Sequence, residues 1–171
     1  MKRKILVVDG YNMIAFWEET KQLFRRNELD VARHILLQRL SNYASFESLE
    51  VICVFDAQYM PGVRQSYEEF NVEVIFTEED ETADDYIERL SAELNTPSNQ
   101  VSVATSDLNE QWTVFAQGAL RVSARELGKR VAVVKSNLKQ MSQQIDLEKP
   151  ILRPWNDQQI QDLKDMMEEI E

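Results

Sequence analysis

Four short apolar runs punctuate the chain: ILVVD at 5–9, VICVFD at 51–56, VEVIF at 72–76 and VSVATSD at 101–107. Their length, β-branched content and lack of a helical period predict strands buried on both faces, at residues 4–9, about 50–55, 72–76 and 101–105. The segments between them repeat differently. NELDVARHILLQRLSNYA carries Ala32, Ile35, Leu36, Leu40 and Tyr43 at helical spacing, and ADDYIERLSAEL carries Ala83, Ile87, Leu90 and Leu94 on one face, with Thr82 as its cap. LNEQWTVFAQ predicts a further helix closed by Gly118, with Trp112 and Phe115 expected in the core. MPGVRQSYEEF has a Pro-Gly turn and no clear period, and reads as a loop with room for a short helix.

After residue 122, SARE forms a capping box in which Ser123 and Glu126 can satisfy each other's amides, opening a long helix. Leu127, Val131, Val134, Leu138, Met141 and Ile145 make its apolar stripe, and Arg125, Lys129, Lys135 and Lys139 fall on the opposite side. Pro150 and Pro154 are expected to break the chain before a last amphipathic helix capped by Asn156 or Asp157, with Ile160, Leu163, Met167 and Ile170 facing inward. Alternating strands and helices predict an α/β fold with a mostly parallel sheet of about four strands, helices on both faces and additional C-terminal helices. The expected organisation is a domain over 1–145 and a helical extension over 146–171 packing on it.

Parallel strands bring their carboxyl ends to one edge, so Asp9, Asp56 and Asp107 share that edge, and the helix after the third strand adds Asp84 and Asp85. Each has a plain alternative, since aspartate at a strand end is often a turn former or helix cap, and Asp84 and Asp85 favour a helix N-terminus in any case. Together they are harder to dismiss. Two carboxylates about 4 Å apart repel by roughly 4 kcal/mol at an effective dielectric near 20, so their convergence calls for a cation. Oxygen ligands without histidine or cysteine suit Mg²⁺ or Mn²⁺. Zinc lacks ligands, because His34 lies in mid-helix and Cys53 stands alone in an apolar run. Asn12, three residues after Asp9, can orient a carboxylate or an attacking water, and Ser106 is either a donor behind the acids or a turn residue.

Length and charge narrow the class. With 171 residues the chain can bury roughly 70% of its unfolded surface in one core without staples. The single cysteine fits a reducing cytoplasm, the basic start lacks the pattern of a signal peptide, and no membrane span is expected. A net charge of −11 disfavours indiscriminate nucleic-acid binding, yet Arg121, Arg125, Lys129, Arg130, Lys135 and Lys139 stand against Glu126 alone between 113 and 140.

In order and spacing, ILVVDGYNMI, VFDA, VEVIFTEEDETADD, VATSDLNEQW and QGALRVSAREL resemble the YacP-like branch of the NYN domains, relatives of the PIN nucleases, over about residues 4–140. The resemblance implies a PIN-like three-layer fold and a divalent-metal-dependent endoribonuclease, with ribosome association and cleavage of mRNA under translation. By position it carries the acidic site onto Asp9, Asp84 and Asp107, with Asn12 in support, Asp85 adjacent and Asp56 at the second strand end. The basic face, Arg121, Arg125, Lys129, Lys135 and Lys139, is the candidate RNA surface. MPGVRQSYEEFN departs from the family's lysine-rich segment, Arg64 being its only base.

Rival chemistries fit less well. An aspartyl phosphatase needs a second acid two residues after its nucleophile, where this chain has Tyr11, and no GxxxxGK[ST] loop is present. The alternative from another class is a non-catalytic RNA- or ribosome-binding adaptor on a nuclease fold.

Overall fold

The computed structural model describes residues 2–59, 67–152 and 157–170, with the backbone alone at 59, 108, 110, 145–152, 157, 160, 169 and 170. Strands β1 (Arg3–Asp9), β2 (Glu50–Phe55), β3 (Glu73–Phe76) and β4 (Asn99–Ala104) form where the apolar runs place them. The sheet holds five strands rather than about four, because β5 (Leu120–Val122) pairs alongside Ser102–Ala104. Three residues are too few to display a period, so this strand is invisible to pattern reading. Every neighbouring pair is parallel, in the order β3-β2-β1-β4-β5. Strand order therefore reverses between β1 and β4, and the crevice outside their carboxyl ends is where such a sheet takes ligands.

Side-chain alternation builds two cores. Leu6, Val8, Cys53 and Phe55 meet Leu36, Leu37 and Leu40 of α3 (Leu29–Glu47) and Leu127 and Val131 of α6 (Ala124–Leu152). On the other face Ile5, Val7, Ile52, Val54, Val101 and Val103 meet Ala83 and Ile87 of α4 (Ala83–Leu94) and Val114 of α5 (Leu108–Ala116). The result is three layers. Asp9 continues the parity of Ile5 and Val7, and Asp56 that of Ile52 and Val54, which directs both carboxylates toward the α4 side of the edge.

Two short helices were not legible in the sequence, α1 (Gly10–Phe16) and α2 (Lys21–Arg25). Helix α1 starts immediately after Asp9 because Gly10 lets it press on the sheet: a Cβ there would lie 2.3 Å from the Phe55 ring. Gly118, at φ +89°, ends α5 as its sequence position predicts.

The chain divides into two units, Met1–Lys135 and Ser136–Glu171. Within the first, Leu127, Val131 and Val134 are buried as expected. Within the second, Leu138 and Met141 of α6 and Leu163 and Met167 of α7 (Asp157–Ile170) are exposed rather than inward as expected, so among the described side chains the apolar stripe of α6 is buried over its first three turns. Nor does Pro150 break α6. Proline's fixed φ is already close to the helical value, and although it removes one hydrogen bond and crowds the carbonyl four residues back, the helix runs on for two residues to Leu152. The proposed breaks and caps at Pro154 and Asn156, and residues 60–66 of the MPGVRQSYEEF loop, lie outside the described residues.

Candidate active site at the carboxyl edge of the sheet

Asp9 is the last residue of β1 and is 8% exposed, a buried carboxylate beside the reversal of strand order. Its charge is felt below: the fully buried Cys53 thiol is pushed well above its ordinary pKa, first by burial and then by Asp9, which leaves the thiol protonated and inert.

Asn12, on the first turn of α1, faces β4. Its side-chain oxygen accepts both the Ser106 backbone N–H, at 2.8 Å, and the Ser106 hydroxyl, at 2.9 Å. The backbone donor fixes which end of the amide faces Ser106, so the NH₂ end is left to donate. This bond ties the helix after Asp9 to the turn that carries Asp107, across the crevice between β1 and β4. The turn is held from its other side as well. Thr105 Oγ1 accepts the Asp107 N–H at 3.1 Å, and the Gln111 amide reaches back to the Thr105 carbonyl at 2.6 Å. Asp107 Oδ1 accepts the Asn109 N–H at 2.9 Å, so Asp107 also caps α5.

Asp56 has a similar double character. Oδ1 accepts the Gln58 N–H at 3.0 Å and Oδ2 the Ala83 N–H at 3.4 Å, which anchors the first turn of α4 on the end of β2. Thr77, buried at the end of β3, reinforces the same corner by accepting the Ala57 N–H at 3.0 Å. Thr82 caps α4 as predicted, accepting the Asp85 N–H at 3.1 Å. Asp84 and Asp85 follow on that turn, both exposed. The structure thus places Asp56 as the residue that positions the Asp84 turn, with both of its oxygens engaged by backbone amides.

One buried cation was missed by the sequence reading. Arg33 lies within the apolar face of α3, 4% exposed, where it donates from Nε to the Tyr67 hydroxyl at 2.8 Å and from a terminal nitrogen to the Tyr11 hydroxyl at 3.0 Å. Tyr11 follows Asp9 by two residues and packs on Phe55, ring centres 4.9 Å apart, so Arg33 braces α1 from behind. Burial raises the Tyr11 pKa despite Arg33. An arginine amid apolar residues at helical spacing carries no sequence signal that separates it from a solvated one.

Among the described residues, no three of the His, Cys, Asp and Glu side chains are placed to hold a metal ion between them. The donors at the edge are nonetheless all oxygen, and Mg²⁺ commonly takes one or two carboxylates, keeps water for the rest and shares substrate phosphate. The edge fits that mode of binding and not an all-protein cage.

The predicted RNA face is exposed at Arg125, Lys129, Lys135 and Lys139. Lys135 is drawn to Glu19 at 3.6 Å, where Arg39 also sits at 3.1 Å. Arg121 stands apart from them on β5, its guanidinium over the Trp112 and Phe115 rings at 4.9 and 5.5 Å. Those rings are 61% and 54% exposed, so the expectation that they lie in the core is corrected: helical spacing alone cannot tell a core stripe from a surface one.

The family model of the YacP-like NYN domain matches residues 6–168. The chain belongs to the YacP-like NYN family. A curated relative of this family, YacP of Bacillus subtilis (strain 168), is 46% identical over 146 residues, 85% of each chain. Two crystal structures of Rae1 (YacP) from Bacillus subtilis, one of them a tryptophan-to-leucine mutant, superpose with TM-scores of 0.75 and, for the mutant, 0.72, both at 40% identity. The first covers 97% of this chain and 91% of that one, the mutant 95% and 99%. The NYN assignment fits the nuclease-like α/β fold, and no helix among the described residues is long and apolar enough to cross a membrane.

Proposed function

We propose that the chain is a divalent-metal-dependent endoribonuclease acting in the cytoplasm on mRNA associated with translating ribosomes. The observation that carries the reading is the Asn12–Ser106 link, which joins the helix behind the buried Asp9 to the Asp107 turn at the ligand-binding edge of a nuclease-like sheet. Asp9, Asp84 and Asp107, with Asp85 adjacent, are the residues to hold Mg²⁺ or Mn²⁺. Bound there, the cation supplies charge stabilisation at a phosphodiester oxygen and a more acidic water. Asn12, its oxygen committed to Ser106, offers only N–H donors, the polarity needed where negative charge develops. Asp56 acts through α4 by holding the Asp84 turn. Arg125, Lys129, Lys135 and Lys139 would take the RNA backbone, each contact adding counterion release.

A second reading, a non-catalytic RNA- or ribosome-binding adaptor, draws on the capping hydrogen bonds of Asp56 and Asp107, which give these acids a purely architectural purpose. Incubating the protein with translating ribosomes on a defined mRNA and mapping new RNA ends separates the two. Because EDTA also dismantles ribosomes, the Asp9→Asn variant is the decisive control.

A further inference from the structure

Trp112 and Phe115 lie three residues apart on α5, about 60° apart around the axis, and both present more than half their surface to solvent. Arg121, on the neighbouring β5, lays its guanidinium over both rings. Among the described residues Arg121 forms no ion pair, so the guanidinium keeps its N–H edge available while it rests against the two rings. A guanidinium so restrained has little rotamer freedom left to lose on binding and presents a planar fork that matches a phosphate. Aromatic faces stack any base, since every base has a π-face.

Position strengthens the case. Helix α5 starts directly after its cap Asp107 and is locked in register by Gln111, whose side-chain amide bonds the Thr105 carbonyl and whose backbone N–H bonds the Asp107 carbonyl. At 1.5 Å per residue, Trp112 lies about 8 Å and Phe115 about 12 Å along the helix axis from Asp107. A strand whose phosphodiester sits at the acidic edge has its neighbouring nucleotides within that reach.

Resting on the nuclease reading above, we propose that Trp112, Phe115 and Arg121 form a platform for one unpaired nucleotide of the RNA, the base stacking on the aromatic and guanidinium surface and its phosphate meeting the N–H edge of Arg121. The platform is separate from the basic face of α6, and it selects single-stranded over duplex RNA because a base inside a duplex is already stacked on both faces.

The test is fluorescence anisotropy of a labelled, unstructured RNA oligonucleotide, titrated with the full chain in EDTA at several salt concentrations. Trp112→Ala should weaken binding by about 5- to 150-fold without changing the salt slope, since a stacking contact releases no counterions. Arg121→Gln should lower the slope by about 0.7, and Trp112→Phe should keep most of the affinity. Both substituted positions are exposed, and matching circular dichroism and melting curves confirm that the variants fold. Unchanged affinity in Trp112→Ala overturns the platform while leaving the nuclease reading intact. Absence of binding to the free oligonucleotide by the parent overturns the platform, and the nuclease reading is then decided by the cleavage assay on ribosomes. Loss of ribosome co-sedimentation by Trp112→Ala with oligonucleotide affinity intact assigns the patch to a protein partner and overturns it as well.

Discussion

The side-chain oxygen of Asn12 receives both the backbone N–H and the hydroxyl of Ser106, joining two segments that lie 94 residues apart in sequence. Removing it in Asn12→Ala leaves a half-buried N–H without its acceptor, at a cost of roughly 1–3 kcal/mol. Ser106→Ala keeps the backbone bond and should cost about 0.5–1.5 kcal/mol. Urea unfolding of both variants checks the order. A larger loss in Ser106→Ala would show that the hydroxyl, not the amide, holds the turn.

Asp56 and Asp9 should part company on isosteric substitution. Asp56→Asn retains one acceptor oxygen for the Gln58 or Ala83 N–H, so the α4 turn persists and RNA cleavage is expected to stay within roughly tenfold of the parent, about 1.4 kcal/mol in transition-state terms. Asp56→Ala should lose about 1 kcal/mol of stability with the anchor. Cleavage abolished in Asp56→Asn with an unchanged melting curve would return Asp56 to the metal-binding set.

Much of this edge was legible because strand alternation and terminal aspartates are local signals: four strands, the Thr82 cap and the Ser123 hydroxyl accepting the Glu126 N–H, at 3.1 Å, all follow from neighbours in sequence. What escaped depends on distant partners. Helix α1 rests on the absence of a Cβ at Gly10 against Phe55 of the next strand. Arg33 is buried by tyrosines from two other segments, and the exposure of Trp112 and Phe115 follows from what does not cover them. The roles of Asp56 and Asn12 were left open by the sequence because an aspartate or asparagine can serve a backbone amide or a ligand equally well, and only the hydrogen bonds distinguish them.

Cys53 sets a pH signature. Its folded pKa is raised, so burial of the neutral thiol contributes stability that is fully present below the unfolded value of about 8.5 and is lost as pH rises toward the folded pKa. Between about pH 8.5 and 9.5 this one group should lower the unfolding free energy with a slope approaching 1.4 kcal/mol per pH unit. Comparing urea midpoints of the parent and Cys53→Ala across that window measures it. Identical pH profiles, or rapid alkylation of the native thiol at neutral pH, would contradict the buried, protonated state.

The basic face of α6 should be visible in salt dependence. Lys129→Gln is expected to lower the slope of log K against log salt for ribosomes or structured RNA by roughly 0.7–0.9. Lys164→Gln, on α7 among Asp162, Asp165 and Glu168, should leave the slope unaltered. Equal slopes for parent and both variants would mark the face as merely solvated.

Metal-dependent chemistry at Asp9 is tested most directly by mapping RNA ends produced from one defined mRNA, naked and on translating ribosomes, by the parent and by folded Asp9→Asn. Removing one charge from the acidic edge should leave the apo fold no less stable, so circular dichroism and melting of Asp9→Asn should match the parent. New internal ends are expected from the parent with Mg²⁺ or Mn²⁺ and none from Asp9→Asn. Equal yields from the two proteins, or no ends from the parent under any of these conditions, would contradict a nuclease centred on Asp9.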